Sequence, residues 1–154
     1  MDEHMKAAYE ARHRQAFRIA YEALAEVWPP RNDLSYWEPT NDRLKEIYNE
    51  HRENPLCRAL LIGILNYLGD VSCGRAITED AVKTHKQAFR TALDFIDGVF
   101  SGDVERNIEN ADENVRLAAE SFADNALAVE LLKRVGTYMD VVKREVQNVT
   151  TGND

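Results

Sequence analysis

The chain has 154 residues, a formal net charge of −8 and a hydrophobic content of 44%. This size and composition predict a single domain over residues 1–154, with residues 150–154 expected to fray. Two cysteines are too few for a disulfide framework, which favours a reducing, cytoplasmic setting. The charged start at residues 1–6 predicts no signal peptide, and no apolar run reaches the roughly 20 residues of a membrane span.

The first two helices are separated by a proline-rich segment. Apolar residues recur at helical spacing over residues 5–28, which predicts the first helix. Pro29 and Pro30 end it, because proline cannot continue a helix. A loop is predicted as far as Pro39, with Thr40 as the N-cap of a second helix of about 13 residues.

The most apolar stretch of the chain follows at residues 54–70. Asn54 is a predicted N-cap, and Pro55 suits the first helical position. Apolar side chains then cover nearly every side, which predicts a buried central helix over about residues 55–69. Gly69 is the predicted left-handed residue after its end. The next loop, at residues 72–76, is a weak candidate for anion binding.

Further helices are predicted from residue 78 onwards. Residues 78–80 are the predicted cap of a fourth helix, which Ser101 and Gly102 end. Two heptad-like apolar series follow, and their change of phase predicts a break with Asp124 as N-cap. The total is five or six helices, no strand and no evident internal repeat. The predicted fold class is therefore all-α, a bundle or orthogonal array around the central helix.

Most of the negative charge lies in one segment. Residues 97–130 carry nine acidic and two basic side chains, a net charge of −7. Four of these acids are predicted to share a helix face: Glu105, Glu109, Asp112 and Glu113. Such a face favours a protein partner with a basic patch. In a sharper version of this hypothesis, the face imitates a nucleic-acid backbone.

The same carboxylates allow a rival interpretation, because acids one turn apart can hold Mg²⁺ or Ca²⁺ together with water. A second acidic row lies at Glu46, Glu50 and Glu53. The rival hypothesis is therefore a metal-dependent hydrolase that uses carboxylates of the second and fifth helices. A solvated helix face is the more ordinary explanation of charged runs. We therefore assign no metal, cofactor or catalytic residue from the sequence.

The proline-rich segment offers a second candidate contact. Arg31, Tyr36 and Trp37 are residue types enriched at protein interfaces, although large aromatic rings also serve to close the end of a bundle. His13 and His85 fall on apolar stripes and are expected to be hydrogen-bonded core histidines rather than metal ligands.

The valine-rich series at residues 128–149 predicts either packing within the bundle or a homodimer seam. A third functional interpretation is weak nucleic-acid binding through Arg12, Arg14 and Arg18 of the first helix, although three cations supply little of the charge such binding needs. Taken together, the patterns favour a non-enzymatic protein-interaction module: a small helical subunit, an adaptor or an inhibitor within a larger assembly.

Overall fold

The computed structural model describes residues 1–73 and 81–152, and the side chains up to residue 149. These residues form seven helices and no strand, so the predicted all-α class is confirmed for them. In chain order the helices are α1 (Glu3–Val27), α2 (Leu34–Glu50), α3 (Pro55–Ser72), α4 (Ala81–Val99), α5 (Val104–Glu109), α6 (Ala111–Ser121) and α7 (Ala126–Gly152). The predicted cap at residues 78–80 and most of the candidate loop at residues 72–76 lie outside the described residues.

Four of the helices surround the core in the ring order α1, α3, α7, α4, with each helix packing against the next. Ring contacts at both ends of α1 and α4 show that these two helices are antiparallel, since Tyr9 meets Phe100 and Trp28 meets His85. The arrangement buries one continuous hydrophobic cluster. No helix in the described part of the chain is both long and apolar enough to cross a membrane.

The remaining helices return the chain along the outside of this ring. Helix α2 packs on α1 and α3, whereas α5 and α6 pack on α7. Helix α7 therefore contacts α3, α4, α5 and α6, and it is as central to the fold as the predicted central helix.

Helix α3 begins as predicted but ends later. The Asn54 side chain accepts a hydrogen bond from the Cys57 N–H at 3.0 Å, and Pro55 occupies the first turn. The prediction for Gly69 was wrong, because the helix continues through it to Ser72 and its backbone is not left-handed. Burial is also one-sided, since Ile62 and Leu65 are 41% and 37% exposed beside α2.

Helix α2 begins six residues before the predicted cap. Asp33, rather than Thr40, caps it by accepting from the Tyr36 N–H at 2.8 Å. Pro39 lies inside the helix and removes one backbone hydrogen bond. Anchoring of the first turn offsets this cost, because Tyr36 is buried and its hydroxyl donates to the Val27 carbonyl at 2.8 Å.

The acidic segment contains two breaks, although the sequence predicted only one. Helix α4 ends where expected, and Gly102 takes the left-handed conformation with φ of 70°. The first of the two breaks, at Asn110, separates α5 from α6. The second precedes α7, but Asn125 replaces Asp124 as the cap and accepts from the Ala128 N–H at 3.0 Å.

The contacts also reveal an internal repeat that the sequence analysis missed. The pattern H-x-Q-A-F-R-x-A occurs at residues 13–20 of α1 and again at residues 85–92 of α4. Helices α3 and α7 share a second pattern, in which the capping Asn54 and Asn125 precede Tyr67 and Tyr138 by the same number of residues. We call α1–α3 the first half and α4–α7 the second half.

Matching residues make matching hydrogen bonds in the two halves. The Asn54 amide donates to the Arg12 carbonyl at 3.0 Å, and the Asn125 amide donates to the Thr84 carbonyl at 3.2 Å. The next residue in each case is a buried histidine, whose Nε2 lies within hydrogen-bond distance of a tyrosine hydroxyl from the other half: His13 with Tyr138 at 2.7 Å and His85 with Tyr67 at 2.8 Å.

Where the two halves join, residues at matching positions lie close to each other. This is expected when a pseudo-twofold axis relates the halves. The Phe17 and Phe89 rings are 6.3 Å apart on one side, and Gly63 faces Arg134 on the other. The fold is therefore two copies of a three-helix unit, with α2 in one copy corresponding to α5 and α6 in the other.

Candidate functional site

The acids of α5 and α6, with their flanking residues, form an exposed surface that we call the acidic flank: Asp103, Glu105, Glu109, Asp112, Glu113, Glu120 and Asp124. Part of this concentration has a local structural cause. Asp103 caps α5, and Asp112 and Glu113 lie in the first turn of α6. Negative side chains at these positions are stabilised by the helix dipole.

Three of the four acids predicted as partner-binding residues already contact a cation of this chain. Glu105 is paired with the N-terminal ammonium of Met1, and Asp112 is 3.2 Å from Lys143 Nζ. Glu113 binds Arg116, which also pairs with Glu120 at 2.7 Å. The hydrogen bonds from Met1 and Arg116 lower the pKa values of Glu105 and Glu113, so both acids are ionised at neutral pH.

These pairs leave the flank negative. Among the described residues, the Met1 ammonium, Lys143 and Arg116 pair with carboxylates of the flank, and Arg116 is shared between two of them. Arg106 is exposed on α5, and Lys133 lines a groove with Asp112 and Glu120, so five cations lie beside seven carboxylates. Glu109 is exposed and has no ion pair among the described residues. The break at Asn110 also divides the predicted single helix face, because Glu105 and Glu109 belong to α5 whereas Asp112 and Glu113 belong to α6.

The two acidic rows do not come together. The row containing Glu46 and Glu50 lies on α2, which packs on α1 and α3, whereas α5 packs on α4, α6 and α7. No group of three or more histidine, cysteine, aspartate or glutamate side chains in the described ranges could hold a metal ion. The geometry therefore gives no support to a hydrolase that joins carboxylates of these helices.

The residues of the proline–aromatic contact prediction also contact other parts of this chain. Tyr36 is buried, and Trp37 is half-buried and packs on the core, with its ring 4.9 Å from that of Tyr36. Arg31 is exposed and lies 3.8 Å from Asp33. These residues belong to the start of α2 and its approach, and binding of a partner there stays a prediction.

The histidines confirm the expectation of hydrogen-bonded core residues. His13 and His85 are 1% and 3% exposed, and each lies beside a tyrosine hydroxyl. Burial lowers the pKa of His13 to about 3 and that of His85 to about 4, so both rings are neutral at pH 7. The two histidines lie in different halves, and each one contacts a tyrosine of the opposite half.

Two further predictions concern residues that contact other parts of this chain. The C-terminal apolar series is buried in the chain's own core from Ala128 to Val142, which leaves little of it for a homodimer seam. Of the first-helix arginines, Arg14 and Arg18 are exposed, but Arg12 binds Glu145 through two hydrogen bonds of 2.8 and 3.1 Å.

This Arg12 cluster is a second feature, besides the internal repeat, that the sequence analysis missed. The Arg12 guanidinium also lies 3.4 Å from the Tyr138 hydroxyl and 5.1 Å from the centre of the Tyr9 ring. The Glu145 hydrogen bonds raise the Arg12 pKa further above its ordinary value. Only the shared spacing of the histidine, asparagine and tyrosine residues could have indicated it from sequence.

Comparisons with family models, with curated proteins and with solved structures found no match.

Proposed function

We propose that this chain is a protein-interaction module whose acidic flank binds a basic surface of another protein. The observation that carries the proposal is the exposure of all seven flank carboxylates on and beside two adjoining helices, where the described cations number fewer than the carboxylates. A surface of one sign attracts an oppositely charged partner over several ångströms and selects its orientation.

The partner chemistry follows from the flank's composition. Carboxylates that emerge from helices can each accept hydrogen bonds from lysine or arginine, and arginine binds them with two parallel bonds. A protein that normally holds nucleic acid in a basic groove fits this description. The flank would then occupy the groove as an imitation of the phosphate backbone, as an adaptor or inhibitor within a larger assembly.

The same proposal places the protein in the cytoplasm. Cys57 and Cys73 are both free thiols, one buried and one exposed. Burial raises the pKa of Cys57 to about 11, so this thiol stays protonated and unreactive at neutral pH. An exposed free thiol such as Cys73 is compatible with a reducing compartment.

A charge-reversal experiment tests the flank directly. The test variant carries Glu105→Lys, Glu109→Lys and Glu113→Lys. The matched control carries Glu38→Lys, Asp42→Lys and Glu46→Lys, which make the same charge change on the exposed face of α2. Binding of a fluorescent nona-arginine peptide is measured by anisotropy at low and high salt, with circular dichroism as the check on folding.

The expected result is binding by the unmodified chain that weakens as salt rises, because the contact is electrostatic. The flank variant should bind at least about ten-fold more weakly, whereas the α2 variant should stay within about three-fold. An equal loss in both variants would show that total charge alone determines binding, and the flank proposal would then be wrong. Absence of binding by the unmodified chain would contradict it as well.

A further inference from the structure

A groove of about 350 Å³ lies between α2 and α3 in the first half. Its lining is apolar apart from Asn41 and Lys45, and comprises Leu44, Tyr48, Leu61, Ile62 and Leu65. Ile62 and Leu65 remain 41% and 37% exposed, and they lie almost one helical turn apart on α3. Neighbouring apolar side chains left in water favour a partner that covers them.

The second half shows what covers the matching surface there. Leu65 corresponds to Gly136, by the same offset that relates Asn54 to Asn125. Helix α6 packs on α7 at this position, and a Val115 side-chain carbon lies 3.3 Å from where a Cβ of Gly136 would be. Helix α6 is amphipathic, with Val115 buried and its acids exposed. An acidic amphipathic helix therefore suits this side of the repeated unit, and in the first half α2 covers it only in part.

The charge beside the groove is positive, although the chain as a whole is acidic. Lys45 is the one charged residue in the described lining. It forms no ion pair with a carboxylate of the described residues. The acids Asp42, Glu46 and Glu50 are exposed on the outer side of α2, and none of them lines the groove. An anionic side chain of a partner would therefore be attracted to this edge of the groove.

Arg58 supplies a second cation without an ion pair among the described residues. It precedes Ile62 by four residues and Leu65 by seven, so the three side chains share one side of α3. Its Nε atom is buried and has no hydrogen-bond partner within the described part of the chain. A buried donor without an acceptor is uncommon and costly, and carboxylates are strong acceptors for a guanidinium. Arg58 therefore favours an acidic group beside the groove.

We infer that the groove between α2 and α3 binds an acidic amphipathic helix of another protein. The apolar side chains of that helix contact Ile62 and Leu65, and its carboxylates pair with Lys45 and Arg58. Recognition of this kind, a helix laid into an apolar groove, is common among protein complexes. The inference is independent of the acidic flank, because the flank lies on α5 and α6 of the second half and has the opposite charge.

Three blocked, fluorescein-labelled peptides of equal length test the chemistry of the occupant. The first is a designed helix with leucine at positions i, i+4 and i+7 and glutamate on both sides of this stripe. The second has lysine in place of each glutamate, and the third has glutamine in place of each leucine. Binding to the full chain is measured by anisotropy, and amide shifts of the ¹⁵N-labelled chain locate the site.

The leucine–glutamate peptide should bind saturably, with its largest amide shifts at Leu44, Ile62 and Leu65. The other two peptides should bind the groove at least about ten-fold more weakly, because each lacks half of the required chemistry. The lysine peptide should shift amides of the acidic flank instead. Absence of saturable binding by the leucine–glutamate peptide, or equal groove shifts with either other peptide, would overturn the inference.

Substitutions test the location. Leu65→Glu places a carboxylate in the groove and should weaken binding of the leucine–glutamate peptide at least about ten-fold. Leu117→Glu is the matched control, because it makes the same change at a leucine of α6 that is 47% exposed, and it should leave the affinity within about three-fold. Circular dichroism checks the folding of each variant. An affinity that a folded Leu65→Glu variant leaves unaltered would overturn the inference.

A second pair of variants removes charge instead of adding it. Lys45→Gln combined with Arg58→Gln should weaken binding at least about ten-fold. Lys86→Gln combined with Arg90→Gln makes the same charge change at exposed positions of α4 and should have little effect. Should the pair containing Arg58→Gln fail to fold, Lys45→Gln alone changes an exposed residue and should still weaken binding. Equal affinities in the groove and α4 variants would contradict the inference.

Sedimentation equilibrium distinguishes another protein from a second copy of this chain. A monomer, or a dimer that Leu65→Glu leaves intact, keeps the groove free for a helix of another protein. A dimer that Leu65→Glu converts to a monomer would show that the groove holds a second copy, and the inference would then be wrong. The nona-arginine experiment on the flank variants can succeed in either case, so the two proposals fail separately.

Discussion

The two halves of this protein share a set of buried polar contacts and differ in what surrounds them. Each half places a histidine beside a tyrosine from the opposite half and begins a helix with an asparagine that also binds a neighbouring helix. Beside this shared set, Arg12 of the first half binds Glu145, whereas the matching position of the second half is Thr84. Buried hydrogen bonds therefore define the unit, and the positions beside them are free to diverge.

The two halves show that buried apolar positions accept substitutions that buried hydrogen-bonded positions do not. Leucine, valine and methionine exchange between matching positions of α3 and α7, such as Leu68 and Met139, because cores tolerate apolar exchanges of similar volume. A buried histidine that loses its hydrogen-bond partner has no such tolerance, since an unpaired buried polar group is costly. The hydrogen-bonded histidine, asparagine and tyrosine are accordingly retained in both halves, together with the closely packed Ala16, Phe17 and Ala20 and their counterparts.

The largest expected effect that tests this comparison is on the pH dependence of stability. Both histidines have folded pKa values below the ordinary value of about 6.5, so the unfolded chain binds more protons as pH falls. Above pH 6.5 the two neutral histidines make their full contribution to the free energy of unfolding. This contribution decreases as pH falls towards 4 for His85 and towards 3 for His13. Between pH 7 and pH 5 we expect a loss of about 2 kcal/mol per histidine.

Denaturant unfolding at pH 7, 6 and 5 measures this loss as the slope of unfolding free energy against pH. His13→Asn and His85→Asn should each reduce the slope by about one proton relative to the unmodified chain. A slope that neither substitution changes would show that the two histidines do not remain neutral in the folded protein.

The next effect compares the two tyrosines. Tyr138→Phe removes the hydroxyl beside both His13 and Arg12, whereas Tyr67→Phe removes the hydroxyl beside His85. We expect a loss of about 1–3 kcal/mol for each substitution, because each leaves a buried histidine nitrogen without its tyrosine partner. Urea unfolding at pH 7 provides both values, and an unchanged stability in either variant would show that its histidine–tyrosine contact does not stabilise the fold.

The smallest effect concerns helix glycines that only one half contains. Gly69 of α3 and Gly98 of α4 correspond to Asp140 and Glu26 in the other half, and a Cβ added at either glycine would contact nothing within 4 Å. Gly69→Ala and Gly98→Ala should each stabilise the fold by up to about 1 kcal/mol, since glycine is a poor helix former. Thermal unfolding measures the change, and destabilisation would show that one of these helices needs glycine.

The sequence predicts the helices well where the signal is local. The Asn54 cap with Pro55 fixes the start of α3, and Gly102 marks the end of α4. The start of α2 was placed too late because Pro39 suggested a loop, whereas burial of Tyr36 against α1 stabilises a helix through the proline. Gly69 was misassigned for a similar reason, since packing carries α3 past a residue with low helix propensity.

The repeat was harder to recognise because the outer helices share little sequence. Helix α2 is continuous, while its counterpart is divided at Asn110 into α5 and α6. The exposure of the acidic flank could be predicted, because charged side chains remain in water. Its pairs with Met1 and Lys143 could not, since those two residues come from distant parts of the chain.

Asn54 and Asn125 couple two events that are separate in most helical proteins. Each side chain accepts the hydrogen bond that starts its own helix and donates to the backbone of an adjacent helix. Contact with α1 therefore fixes the side chain that caps α3, and contact with α4 fixes the one that caps α7. Each cap is held more firmly in the packed protein than in an isolated helix, so secondary structure and docking should form together in a cooperative folding transition.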